Sequence, residues 1–140
     1  MERDGTAVDC DWNNIYMSNG ASEGVRQAFR LLIRDQKDGI MVPIPQYPLY
    51  SALLTLDNGT MVKYYLDEDK NWGVDPEEIV SRIKNAKDLG INLRGMVVIN
   101  PGNPTGNVLR REDIEAIIKI CYEHEIVLIA DEVYQSNTYN

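Results

Sequence analysis

Short apolar runs alternate along this chain with segments whose apolar residues recur at helical spacing, and this alternation constrains the fold more than any other feature. The runs predicted as strands are Asn14 to Ser18, Gly39 to Pro45, Met61 to Leu66, Met96 to Ile99 and Ile126 to Ala130. The segments predicted as helices are Ser22 to Arg34, Tyr50 to Leu56, one that begins after Asp75, and Asp113 to His124. Strands that are apolar throughout are typical of a parallel sheet covered on both faces. The sequence therefore predicts an α/β domain with three layers, a mainly parallel sheet between helices.

Local signals support the predicted helices. The apolar face of the first is predicted to contain Val25, Phe29, Leu32 and Ile33, and that of the last to contain Ile114, Ile117, Ile118 and Cys121. Asp75 precedes Pro76 and two glutamates, which predicts an aspartate N-cap followed by proline in the first turn.

Composition excludes several classes of partner. The 140 residues are 44% hydrophobic and 26% charged, as expected of one globular domain with a core. The net charge is −8 and the basic residues are scattered, so we expect neither nucleic acid nor a membrane as a partner. Cysteine and histidine spacings predict no metal site. A reducing, cytoplasmic compartment is the expectation, and a mitochondrial one stays open because a transit segment could precede this sequence.

Polar and turn-forming residues follow four of the predicted strands. They occupy the segments Ser18 to Gly24, Pro45 to Tyr50, Asn100 to Gly106 and Asp131 to Tyr134. Because ligands of parallel sheets bind beyond the carboxyl ends of the strands, these segments predict one binding edge.

The first of these segments is a small-residue turn that leads into a helix. Free N–H groups near Ala21 and Ser22 would favour an anion such as a phosphate. The alternative is a tight turn at Asn19-Gly20 with Ser22 as a simple N-cap. Neither G-x-G-x-x-G nor G-x-x-x-x-G-K-[ST] occurs, which disfavours a dinucleotide fold or a P-loop.

Asp131 follows the apolar run that ends at Ala130. A carboxylate at the exit of a buried strand requires a cation or a hydrogen-bond donor, because desolvation disfavours its charge. The alternatives are a helix cap or a surface acid, and Tyr134 could equally be an aromatic residue that packs on the rim.

Two of these segments together resemble a known signature. The turn Asn103-Pro-Thr-Gly106 follows a strand, and Asp131-x-x-Tyr134 begins 25 positions after Gly106. This pair resembles the signature of the aspartate-aminotransferase-like superfamily of pyridoxal-phosphate (PLP) enzymes, and the resemblance extends from Ile15 to Tyr134. Within the superfamily, the segments Asn19 to Gly24, Ile44 to Ser51 and Asn100 to Gly106 are most similar to the alanine aminotransferases.

The resemblance implies a cofactor, pyridoxal 5'-phosphate, and a role for six residues. By resemblance, Asp131 pairs with the pyridine nitrogen, and Asn103 and Tyr134 donate to the phenolic oxygen of the ring. Ala21 and Ser22 would bind the phosphate, and Tyr47 would stack on the ring. The resemblance also implies a cis bond between Asn103 and Pro104.

The implied reaction is transamination of L-alanine and 2-oxoglutarate to pyruvate and L-glutamate, by an enzyme that is a homodimer at full length. The family's Schiff-base lysine follows the Asp-x-x-Tyr motif, so we expect no catalytic residue within this chain and no activity from the chain alone. Residues 1–140 are accordingly expected to form part of a large PLP-binding domain, without its C-terminal half and without the small domain. Alternatives are another aminotransferase, an aminocyclopropane-carboxylate synthase-like lyase, or a catalytically dead PLP-fold binding protein.

Overall fold

A computed structural model describes residues 11–138, and they form an α/β sandwich. The elements are α1 (Ala21–Leu32), β1 (Asp38–Ile44), α2 (Leu49–Leu56), β2 (Thr60–Tyr65), α3 (Pro76–Asp88), β3 (Asn92–Ile99), α4 (Arg111–Glu123) and β4 (Val127–Asp131). The four strands form one sheet in the order β2-β1-β3-β4, and every pair is parallel. The predicted fold class is confirmed. The predicted domain portion also includes residues 1–10 and 139–140, which lie outside the described residues.

Helices cover both faces of the sheet because successive side chains of a strand point to opposite sides. Ile40 and Val42 of β1 pack with Phe29 of α1 and Tyr50 of α2 in one apolar cluster. Met41, between them, belongs to a second cluster, which contains buried residues of α3 and α4. Each face thus has its own core, and both cores are held by the same strands.

The strand register brings three strand ends to one edge. Ile44 is paired with Tyr65, and Ile99 with Asp131, at the carboxyl ends of their strands. The Asn100 N–H then donates to the Asp131 carbonyl at 3.0 Å. The segments that follow β1, β3 and β4 therefore start side by side, next to the amino end of α1.

The opposite edge of the sheet holds a buried carboxylate. Asp38, the first residue of β1, is fully buried. Its oxygens accept from Arg34 Nε at 3.0 Å, from the Arg34 N–H at 3.1 Å and from Arg94 Nε at 2.7 Å. The Arg34 hydrogen bond is the main cause that lowers the pKa of Asp38, with Arg94 adding to it, and together they outweigh the opposing effect of burial.

Two sequence-based predictions are wrong, one about a strand and one about a buried helix face. The expected strand from Asn14 to Ser18 is not formed, and a short 3-10 turn, Trp12–Asn14, is followed by an exposed segment in which Tyr16 and Met17 are 89% and 91% exposed. No strand within residues 11–138 pairs with this segment, so its backbone takes part in no ladder of hydrogen bonds.

The second error concerns Ile118, which is half exposed instead of packed. The buried face of α4 is formed by Asp113, Ile117, Ile120 and Cys121. The helix N-cap predicted at Asp75 is confirmed, since its carboxylate accepts from the Glu77 N–H at 2.9 Å. No helix in the described part of the chain is both long enough and apolar enough to cross a membrane.

Candidate functional site

A cleft of about 370 Å³ lies at the carboxyl edge of the sheet. All six residues predicted from the sequence line it. The lining residues are Ala21, Ser22, Tyr47, Leu49, Ile99, Asn103, Asp131, Val133 and Tyr134. They come from four segments that are far apart in the chain, and the parallel register described above brings them together.

The amino end of α1 forms one wall of the cleft. Gly20 is the N-cap, with φ +89°, a left-handed conformation that glycine adopts without strain. Ser18 Oγ donates to the Gly20 carbonyl at 3.0 Å and holds the turn. No described side chain caps this helix, so Ser22 is not the N-cap and the alternative interpretation of Ser22 is wrong. The first-turn N–H groups and the positive end of the helix dipole are therefore available to an anion.

The loop from Asn100 to Gly106 forms a second wall, and its own hydrogen bonds brace it. Asn100 Oδ1 accepts from the Leu109 N–H at 3.0 Å, and the Gly102 N–H donates to the Asn107 carbonyl at 2.8 Å. Gly102 is required because a Cβ at this position would overlap Thr105 Oγ1 and Asn107 Oδ1. The loop is thus fixed by contacts that leave its central asparagine, Asn103, facing the cleft.

The Asn103-Pro104 bond is cis, as the resemblance implied, and so are Ile44-Pro45 and Asn100-Pro101. Hydrogen bonds within residues 11–138 engage neither the Asn103 amide nor the Tyr134 hydroxyl. Both groups line the cleft, and Tyr134 is 42% exposed. Two polar groups are therefore free to bind a ligand.

Asp131 is half buried and is held by two donors. The Tyr50 hydroxyl donates to Oδ2, and the Val133 N–H donates to Oδ1 at 3.2 Å. The bond from Val133 is a local contact within the turn. A capping role of Asp131, one of the alternatives, would therefore explain the position of Oδ1 but not that of Oδ2. The bond from Tyr50 comes from a residue 81 positions away, and this contact distinguishes Asp131 from a surface acid.

Sequence reasoning missed Tyr50, Thr105 and Asn107. Tyr50 is fully buried, and no local pattern indicated that its hydroxyl would reach Asp131, 81 positions away. Thr105 Oγ1 donates to Asn107 Oδ1 at 2.5 Å, and Asn107 Nδ2 donates to the Trp72 carbonyl at 2.9 Å. No local pattern indicates a partner as distant as Trp72.

The cleft combines four kinds of group. It has a helix start without a side-chain cap, a carboxylate, two free polar side chains and an aromatic residue, Tyr47, that is 45% exposed. Leu49, Ile99 and Val133 add apolar surface. These groups fit a flat ring that carries a phosphate, a basic nitrogen and an oxygen acceptor. No cluster of three or more metal-ligating side chains is found among residues 11–138.

Comparison with known proteins shows that this chain is similar to aminotransferases in sequence and in fold. The chain is 50% identical over 98% of its length to alanine aminotransferase 1, mitochondrial, from Arabidopsis thaliana, of which it covers 25%. It is also 50% identical over 99% of its length to glutamate–glyoxylate aminotransferase 1 from the same plant, of which it covers 28%. An aminotransferase crystal structure from Escherichia coli aligns with 82% of this chain and 27% of its own, at 37% identity and a TM-score of 0.73.

The chain spans about a quarter of the length of these relatives. The sequence profile of the aminotransferase class I and II family matches residues 2–140, nearly the whole chain. The fold, the cleft and this match lead to one conclusion: the chain belongs to the aminotransferase class I and II family.

Proposed function

We propose that this chain is part of the large, cofactor-binding domain of a longer PLP-dependent transaminase. The observation that carries the proposal is the meeting of six predicted residues from four separate segments in one cleft. These residues follow different strands, so they meet only because the pairing of three strands brings the strand ends together. Such a meeting is improbable by chance.

Each lining group has a proposed task. PLP, when bound, supplies a ring that accepts the electron pair left at the substrate α-carbon. Asp131 holds a proton at the ring nitrogen, because an adjacent carboxylate favours the protonated nitrogen. Asn103 and Tyr134 donate to the oxygen on the ring and fix its tilt.

The remaining groups anchor the cofactor. The N–H groups and hydroxyl at Ala21 and Ser22 bind the phosphate, aided by the helix dipole. Tyr47 stacks on one face of the ring and orients it. No lysine lines the cleft within the described residues. We therefore propose that the Schiff-base lysine, which binds PLP covalently, comes from a segment outside residues 11–138.

For the substrates, we propose L-alanine and 2-oxoglutarate, converted to pyruvate and L-glutamate. A second candidate is transfer between L-glutamate and glyoxylate, since the relative with that name is as similar to this chain as the alanine enzyme. A lyase of the same fold and a PLP-fold binding protein without activity remain the other candidates.

We further propose that the full-length protein is a homodimer in the cytoplasm. A mitochondrial location stays open, and mitochondrial proteins are among the relatives. Light scattering of the purified protein measures the first property, and microscopy of a tagged full-length protein measures the second.

The test of function uses the full-length protein. PLP is removed and returned, binding is followed by absorbance, and pyruvate is measured from L-alanine with 2-oxoglutarate. The glutamate and glyoxylate pair is assayed in parallel, and faster turnover of that pair would replace the first candidate by the second. PLP binding without turnover of any pair would favour the binding protein, and no PLP binding would contradict the proposal.

A matched pair of variants ties the activity to the cleft. Asn103→Ala removes a polar side chain that lines it, whereas Asn85→Ala makes the same change on an exposed position of α3. The first is expected to weaken PLP binding and the second to leave it unchanged. Equal effects of the two substitutions would place the cofactor elsewhere.

A further inference from the structure

Tyr50 lies at the start of α2 and is the least accessible of the tyrosines near the cleft. Its side chain is fully buried in the cluster formed by α1, α2 and the sheet. The ring packs against Phe29, with centroids 6.3 Å apart and planes tilted by 44°. Its orientation is therefore fixed by apolar packing, and its hydroxyl can reach only a limited region.

Within that region the hydroxyl donates to Asp131 Oδ2. The Val133 N–H donates to the other oxygen, Oδ1, at 3.2 Å. Two donors on different oxygens fix the plane of the carboxylate. An ionised carboxylate offers about four acceptor positions, so positions remain for a group in the cleft that Asp131 lines.

The Tyr50 hydroxyl is suited to donate a hydrogen bond and not to lose its proton. Burial, followed by the hydrogen bond to Asp131 and its negative charge, raises the pKa of Tyr50 well above the usual value. The phenol therefore stays neutral and acts as a hydrogen-bond donor to Asp131.

We propose that Tyr50 is a positioning residue, which acts through Asp131 and aims its carboxylate at the ring nitrogen of the bound cofactor. The inference rests on the function proposed above and adds a residue that does not line the cleft. Without the hydroxyl, the carboxylate keeps only the Val133 contact and can rotate away from the cleft.

The main test is Tyr50→Phe in the full-length protein loaded with PLP that is labelled with ¹⁵N in the ring. The ring-nitrogen resonance is expected to move towards the value of an unprotonated pyridine, and PLP binding is expected to weaken on the order of tenfold, as for loss of a hydrogen bond to a charged group. An unchanged nitrogen resonance would overturn the inference.

Tyr64→Phe is the matched control. Tyr64 is also buried, and its hydroxyl donates to the Val97 carbonyl at 2.8 Å, away from Asp131. This substitution removes the same atom and is expected to leave the ring-nitrogen resonance in place. A similar displacement in both variants would mean general loosening of the core and would overturn the positioning role.

The wild-type protein provides a test that does not depend on the variant folding. The Tyr50 hydroxyl proton is expected to be protected from exchange and to change its chemical shift when PLP binds, because its acceptor then contacts the ring nitrogen as well. A hydroxyl resonance whose chemical shift is the same with and without PLP would contradict the inference. If the wild-type protein binds no PLP, the proposed function itself has failed, and that failure is visible before any substitution.

Discussion

Two aspartates at opposite edges of the sheet differ in how fully the chain satisfies them. Asp38, at the start of β1, is fully buried and accepts hydrogen bonds from the guanidinium groups of both Arg34 and Arg94. Asp131, at the end of β4, is half buried, accepts two hydrogen bonds from neutral donors and borders a cleft. The charge of Asp38 is balanced by its own chain, whereas that of Asp131 is not balanced by any contact within the described residues.

This difference separates a structural carboxylate from a binding one. A buried charge that is paired and hydrogen-bonded is held by the fold and has no capacity left for a ligand. A carboxylate with fixed geometry and an open side can bind a cation from outside. The two edges should therefore respond differently to the same substitution.

Of the substitutions at the two edges, Asp131→Asn is expected to have the largest effect, which is a loss of affinity for PLP. Loss of one partner of a charge pair should weaken PLP binding by about 3 kcal/mol, on the order of a hundredfold. Fluorescence titration of the full-length protein with PLP measures this effect. Glu132→Gln, which changes the neighbouring acid outside the cleft, is the control. Equal affinities of the two variants would remove the distinction between Asp131 and an ordinary acid.

Asp38→Asn is expected to show the reverse behaviour. It should lower the free energy of local unfolding of β1 by about 2 kcal/mol, because two arginines lose their shared buried partner. Hydrogen exchange of the β1 amides measures the loss, with the exposed Asp88→Asn as the control. PLP affinity should stay unchanged. A variant that loses affinity but not stability would show that the two edges are not independent.

The pH dependence of stability should depend on Asp38. Its pKa is lower in the folded state than in the unfolded chain, so its contribution is complete above the unfolded-state pKa, about 4. The contribution is lost as the pH falls from there towards the folded-state pKa. Thermal unfolding midpoints measured down to acidic pH should therefore fall less steeply for Asp38→Asn than for the wild-type protein. Parallel curves would mean that the arginine contacts contribute nothing to acid stability.

Tyr134→Phe is expected to have the smallest effect. It removes one donor at the open edge and should weaken PLP binding by about 1 kcal/mol, roughly fivefold. Tyr122→Phe makes the same change on an exposed position of α4 and should have no effect. Calorimetric titration of both variants with PLP compares them. Full affinity in Tyr134→Phe would remove this hydroxyl from the proposed set.

A resemblance to a family signature indicated the six residues at one edge, whereas the local patterns of the sequence by itself determined the fold class and the position of most elements. These features follow from local signals: apolar runs for strands, spacing for helices, the Asp75 cap and the polar residues after strand ends. Such signals act over a few residues, and each is repeated along the chain. Errors of one or two residues at most element ends, and of four residues at the start of β3, therefore did not change the fold.

Only the tertiary structure decided which groups meet. The bond from Tyr50 to Asp131 and the bond from Asn107 to the Trp72 carbonyl join residues 81 and 35 positions apart. The exposure of Ile118 and the lack of a strand at residues 14–18 depend likewise on which neighbours are present. A local pattern specifies what a residue can do, but the register of the sheet and the packing of the helices determine its partner, because a contact requires both groups at one place.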